Sequence, residues 1–432
     1  MRRWTAHRFR ALLRHNGPTS LIFRRRLALM GGAVVVGLAA LMFATLADRA
    51  NGVFERIVAI WPYAPLLMTP AGFALIVWIT RRYAPLAAGS GIPQVIAASK
   101  GTGPAFARLV DMKTAVLKCI LTSGALLVGG SVGREGPTVQ ISAALLGWTH
   151  RLLQVPMRVS VMIAGGAAGV AAAFNTPLAG ITFAIEELAS AYEQRMTLLV
   201  ITAVIISGMV TLGLAGNYVY FGGGIDARLD VGAAIPVALV GGVLGGLSGG
   251  LFARLALEAV RAKNGFTRFR SEHPIVFAAL CGFVVAMLGV STGLTWGTGY
   301  APARELILGE DLPLWLAPAK FVATLVTTVS GIPGGIFAPS LATGASFGEI
   351  LRWIFPGQPA SAIVLMGMAA YFTGVVRAPL TAVIIITETT GTRGFMLPLL
   401  GAALVADNTA QLLCKERLYH GLARSFMPES GK

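Results

Sequence analysis

Glu135 is the residue of this 432-residue chain most suited to chemistry. It lies in Gly133-Arg134-Glu135-Gly136-Pro137, a break in an otherwise apolar stretch. An ionisable group at membrane depth is a functional candidate by default. A carboxylate there can compete with an anion for free backbone amides, and protonation neutralises it and lets it leave. The competing reading is a loop-stabilising ion pair with Arg134, but adjacent residues seldom face each other on a helix. Glu186 and Glu187 follow Pro177 at the end of an apolar run, where one of the two reads equally well as a helix end at the water interface. Lys118 and Lys320 are rare charges in apolar surroundings; they either balance buried acids or snorkel toward water.

Three interruptions share one chemistry: Gly89-Ser90-Gly91-Ile92-Pro93, the Glu135 break, and Gly331-Ile332-Pro333-Gly334-Gly335-Ile336-Phe337-Ala338-Pro339. Each mixes glycine with a proline suited to a first helical turn, and each precedes an apolar run. We therefore expect three helix N-termini inside the membrane, since broken backbone survives there only when buried in protein or lining a cavity. A helix start offers unpaired N–H groups and a partial charge of about +0.5, which makes it an anion site. One start contributes only about 0.3–2 kcal/mol, whereas an isolated anion in a low-dielectric interior costs nominally tens of kcal/mol. Several starts, with hydroxyl donors, must converge on one ion. The bland reading is that these glycines and prolines only let helices pack closely.

Other chemistries find little support. Cys119, Cys281 and Cys414 are scattered among apolar neighbours without metal-ligand spacing, and they read as packing residues. Gly344-Ala345-Ser346-Phe347-Gly348 matches the hydrolase elbow pattern, but no strand precedes Ser346 and no histidine lies near it or Glu135. Ser346 reads as packing, and the chain is not expected to be an enzyme.

The elements that must position these residues are set by composition. The chain is 55% apolar and 12% charged, against about 25% charged in soluble domains. A soluble enzyme, a disordered tail and a disulfide scaffold are poor readings, and a polytopic membrane protein is expected. Arg2, Arg3, Arg8, Arg10, Arg14 and Arg24–Arg26 precede a charge-free run from Leu27 to Ala47, which places the N-terminus in the cytoplasm and attracts membrane lipids, not nucleic acid. Further spans are expected at 63–80, 115–129, 197–215, 233–253 and 274–294. Interrupted helices are expected near 84–98, 131–150, 158–188, 316–350 and 361–388. No run of alternating strands suggests a barrel.

The chain also repeats itself. A shift of 202 residues carries Pro137 onto Pro339, Pro177 onto Pro379, Glu186 onto Glu388 and Lys118 onto Lys320. The expected organisation is a basic segment 1–26, a first repeat 27–216, a linker 217–231, a second repeat 232–414 and a C-terminal segment 415–432. Repeats in membrane proteins point to a transporter with its site at the repeat interface near the midplane. Hydropathy does not give the number of crossings, so parallel and inverted repeats stay open at this point.

GSGIP, GREGP, GIFAP and the later Lys415–Ser425 stretch KERLYHGLARS, in that order, resemble the signature segments of the CLC chloride channel and transporter family. The resemblance implies an all-α homodimer with broken and re-entrant helices, two inverted repeats and one anion pathway per subunit. It implies that Ser90 and Tyr419 bring hydroxyls to the central anion, and that Ile336 and Phe337 bring amides. Glu135 would be the external gate, with Arg134 and Gly136 supplying amides to an outer anion site. Glu187 would be the internal proton-transfer acid, with Glu186 its neighbour. Ser90 favours chloride over nitrate, and the intact motifs favour chloride over fluoride. Gln94 stands where many relatives have Glu, expected to be a peripheral detail. The sequence ends 13 residues after Tyr419, so regulation through paired cytoplasmic nucleotide-sensing domains is not expected. Chloride/proton antiport in a prokaryotic inner membrane, without cofactor or metal, is the leading expectation; a passive chloride channel is the alternative.

Overall fold

The computed structural model describes residues 18–427 apart from 102, 190–193, 217, 218, 224, 226, 263 and 264. Arg2, Arg3, Arg8, Arg10 and Arg14, linker residues 217, 218, 224 and 226, and the end of the C-terminal segment lie outside the described residues. The described chain is helical, with two isolated bridges, Gly89–Pro333 and Gly133–Gly335.

The first half contains α1 (Pro18–Ile60), α2 (Pro65–Tyr83), α3 (Ile92–Lys100), α4 (Met112–Leu127), α5 (Glu135–Leu152), α6 (Val159–Phe174), α7 (Pro177–Phe183) and α8 (Gln194–Ala215). The second contains α9 (Val231–Arg261), α10 (Gly265–Glu272), α11 (Pro274–Thr292), α12 (Tyr300–Ile307), α13 (Leu316–Ser330), α14 (Phe337–Ile354), α15 (Ala360–Val376), α16 (Pro379–Thr390) and α17 (Met396–Leu413). The short α18 (Leu418–Ala423) is the last α-helix among the described residues. Five of these, α1, α8, α9, α11 and α17, are long and apolar enough to cross a membrane among the described residues. The expected span 27–47 is part of a 43-residue α1. At 1.5 Å per residue it is about 65 Å long, roughly twice the hydrocarbon thickness. The 26/27 boundary thus falls inside a helix, and Arg24 reaches Gln154 beyond the end of α5.

The repeat is visible in the backbone. α5 and α14 are both 18 residues long and start 202 residues apart, as α8 and α17 also start. Gly129 and Gly331 share positive φ values of 79° and 92°. Asn175 and Arg377, which end α6 and α15, share left-handed φ values of 58° and 63°. Each is followed two residues later by a proline that starts the next helix.

The halves are joined by contacts that each makes on the other. Glu186 accepts from the amides of Leu380 (3.1 Å) and Thr381 (2.7 Å) at the start of α16. Its counterpart Glu388 accepts from Leu178 (3.3 Å) and Ala179 (2.9 Å) at the start of α7. Gly133 and Gly335, also counterparts, exchange both backbone hydrogen bonds, at 2.8 and 2.7 Å. A pair made with its own counterpart lies on a two-fold axis. Equivalent positions face opposite cavities: Ile336 lines one, whereas its counterpart Arg134 lines the other. The repeats are inverted, which settles the alternative left open by hydropathy.

Candidate anion site

All three breaks are helix starts. α3 begins after Gly91, α5 after Arg134 and α14 after Ile336, and none of the three has a side-chain cap. The uncapped starts leave first-turn amides for another acceptor.

The three loops are knit into one block. Gly89 donates its amide to Ile332 at 3.2 Å and accepts from Gly334 at 3.1 Å, beside the Gly133–Gly335 pair. Gly91 has φ 108°, open to glycine at little cost, and an added Cβ would sit 2.7 Å from the Gly136 carbonyl. An added Cβ at Gly136 would strike the Ser90 hydroxyl. The missing side chains let the Ser90 loop lie directly on the Glu135 helix start.

The two lysines neither snorkel nor pair with acids. Lys118 is fully buried and donates to the carbonyls of Ala87 (2.7 Å) and Gly89 (2.5 Å). Lys320 is also buried and donates to Thr295, Trp296 and Gly297 at 2.9, 3.3 and 3.0 Å. Each satisfies carbonyls that a broken helix leaves unpaired. Gln94 is not peripheral: it is fully buried and donates to Leu86 (3.2 Å) and Ala88 (2.7 Å), fixing the chain that leads to Ser90.

Ser90 and Tyr419 are neighbours at the centre. Both are buried, and neither hydroxyl completes a hydrogen bond with protein. Ile336 and Phe337 are buried at the start of α14, and the Phe337 ring lies 5.8 Å from that of Tyr419 and 5.0 Å from that of Phe372. The Glu135 side chain is fully buried. It approaches the amides of Glu135 and Ala338, yet neither carboxylate oxygen completes a hydrogen bond. Arg134 does not pair with Glu135; it turns away to Asp48 at 2.5 Å and the Ala44 carbonyl at 2.9 Å. Buried polar groups are normally satisfied, so four unpartnered oxygens from three residues around three amide-bearing starts define a pocket for an ion.

That pocket lies between two cavities. One, of about 130 Å³, is lined by Gly89, Ser90, Ile336 and Arg270. The other, of about 710 Å³, is lined by Asp48, Arg134, Tyr220 and Glu305. Glu135, Phe337 and Tyr419 line neither, while their chain neighbours do: Arg134 lines the larger and Ile336 the smaller.

Glu187 occupies a single turn of π-helix, Ala184–Leu188, that continues α7. Such turns often mark functional positions. The side chain is fully buried; one oxygen lies 3.1 Å from His420 Nδ1 and the other has no protein partner. Glu186 caps α16 and is not a simple helix end in water. His420, Asp48 and Gln140 escaped the sequence reading. Gln140, fully buried, supports the same loop as Gln94 through Leu86 (3.1 Å) and Leu109 (2.7 Å). His420 follows Tyr419 directly, and that adjacency was the available signal. Ser346 is buried within α14 and donates to Ala342 at 3.0 Å, as packing requires. No cluster of three or more metal-ligating side chains occurs among the described residues.

Inverted repeats whose helix starts meet at one buried pocket between two cavities define an ion-pathway membrane protein. The voltage gated chloride channel family model matches residues 72–411, and the chain belongs to this family. It is 32% identical over 396 residues to the H(+)/Cl(-) exchange transporter ClcA of Yersinia pseudotuberculosis serotype IB (strain PB1/+), covering 86% of this chain and 79% of the relative. The fold is similar to that of a slow cyanobacterial Cl−/H+ antiporter (TM-score 0.81, 24% identity, 94% of this chain and 99% of the other). It is also similar to that of a CLC-type fluoride/proton antiporter (TM-score 0.77, 22% identity, 95% and 99%).

Proposed function

We propose that the protein is a chloride/proton antiporter, exchanging about two chloride ions for one proton as a secondary transporter. The observation that carries this reading is the pair of fully buried acids, Glu135 and Glu187, both near Tyr419 and each with an oxygen unpartnered by protein. A passive channel needs the pocket but not the second acid. The exchange activity in the name of the 32% identical relative supports the same choice.

Chloride would sit among the Ser90 and Tyr419 hydroxyls and the amides of Ile336 and Phe337. A second ion would take the amides of Arg134, Glu135 and Gly136 once the Glu135 side chain leaves. Protonation of Glu135 removes its charge and frees the pocket, so anion entry and proton uptake become linked steps. Glu187 holds the proton on the other side, beside Tyr419. Chloride and protons are the substrates, and a homodimer in a prokaryotic inner membrane completes the reading. Arg270 lines the smaller cavity, Arg81 shares a neighbouring one with it, and Arg417 and Arg424 flank α18, whereas Asp48, Glu55 and Glu305 join Arg134 in lining the larger cavity. Positive charge favours the cytoplasm, so the smaller cavity opens inward.

Reconstitution in liposomes under a chloride gradient tests this. Opposed proton movement is expected. Chloride flux with no proton movement would leave the channel as the correct reading.

A further inference from the structure

We propose that His420 is the relay through which Glu187 exchanges protons with the water beside α18. This rests on the reading of Glu187 as the inner proton station. Glu187 has no exposed surface of its own, so its proton needs a carrier to reach solvent. The His420 side chain is 24% exposed and places Nδ1 3.1 Å from a Glu187 carboxylate oxygen, so one ring touches both the buried acid and the solvent.

The charged neighbours are engaged with partners of their own. On the turn that carries Glu187, Glu186 is engaged by α16, and Arg417 donates to the Glu186 carbonyl at 2.7 Å. Glu416 interacts with His420 but is held by Arg261, from the end of α9, and by Arg424. Tyr419, from α18, senses Glu187. The arginines offer only donors, and Glu416 is already paired. Among these groups the imidazole is the one whose two ring nitrogens can take a proton on one side and give one up on the other.

The transfer balances within the pair. His420 begins neutral with its proton on Nδ1. Water delivers a proton to Nε2, giving imidazolium. The Nδ1–H bond breaks and an O–H bond forms on Glu187, leaving a neutral acid and a neutral ring protonated on Nε2. Exchange with water returns the ring to the first tautomer, and the reverse sequence releases the proton.

His420→Asn keeps an amide within reach of Glu187 but cannot titrate. In liposomes we expect its chloride flux to stay within about twofold of wild type, and its proton flux at neutral pH to fall about tenfold or more, in the range of lost acid–base assistance. Imidazole added to the buffer should restore proton flux in His420→Ala. Wild-type proton flux in His420→Asn would reduce His420 to a positioning role and overturn the relay. Parallel loss of chloride and proton flux would assign it to the inner gate, and also overturn it. Glu187→Gln is the control: unchanged coupling there would remove the reading of Glu187 itself, and the relay with it.

Discussion

Ser90, Glu135 and Tyr419 share a property that no isolated motif conveys: each buries oxygen that protein does not satisfy. The motifs around them were legible because glycine and proline mark a helix start wherever they meet before an apolar run. The partners were not legible. Arg134 turns to Asp48, 86 positions earlier in the chain, and Glu187 meets His420, 233 positions later. Such pairings are set by tertiary packing, to which spacing along the chain is blind. Glu135→Ala removes both the competing charge and the titrating group, so chloride flux should persist while proton coupling is lost; paired chloride-electrode and pH recordings check this. Gly136→Ala drives a methyl group into the Ser90 hydroxyl. Chloride affinity measured by calorimetry should fall about tenfold, equivalent to about 1.4 kcal/mol.

Each helix break needs its own support. Lys118 and Lys320 were visible as rare charges matched by the repeat, but their task was not, because carbonyls left by a break carry no mark in the sequence. Lys118→Met takes the donor from both carbonyls; Gly89 keeps the Gly334 amide, so the Ala87 carbonyl is left buried and unpaired, at about 1–3 kcal/mol. The thermal midpoint in detergent should drop, with loss of chloride flux. The caps are testable in the same way. Glu388→Ala strips the acceptor from the start of α7 and should cost about 0.5–2 kcal/mol, read as the same kind of midpoint shift. Beyond the last span, the Arg261 guanidinium beside Glu416 holds its carboxyl below the usual carboxylate range. A depressed folded-state pKa stabilises above the unfolded value, about 4.3 for Glu, and that contribution fades as pH falls through the folded value. The midpoint advantage of wild type over Glu416→Gln should therefore be present at neutral pH and shrink progressively on acidification below about pH 4.

Across the whole molecule, the sequence carried the repeat offset and the membrane setting, and it left the hand of the repeat open. Inversion rests on which cavity each counterpart faces, a property of assembled helices. Length also misled locally. A charge-free run of 21 residues marks one span, yet α1 continues well past it through Asp48, Arg49 and Glu55. Those charges are tolerated because this part of the helix faces the larger cavity through Asp48 and Glu55. The two halves hold each other through Glu186, Glu388 and the Gly133–Gly335 pair. Fragments 1–223 and 224–432, co-expressed, should therefore copurify and recover chloride flux, while either alone should not. Failure to copurify would mean that the covalent connection, and not these contacts, joins the halves.

The glutamate that clasps the opposite half is itself mirrored by one that clasps back, so the joint is self-complementary. Two molecules of a shorter ancestor, threaded into the bilayer in opposite senses, could have formed it before any gene fusion. Fusion then freed the two copies to diverge. Position 187 carries an acid where its counterpart, Thr389, does not, and that difference gives a seam reading the same from either side its direction.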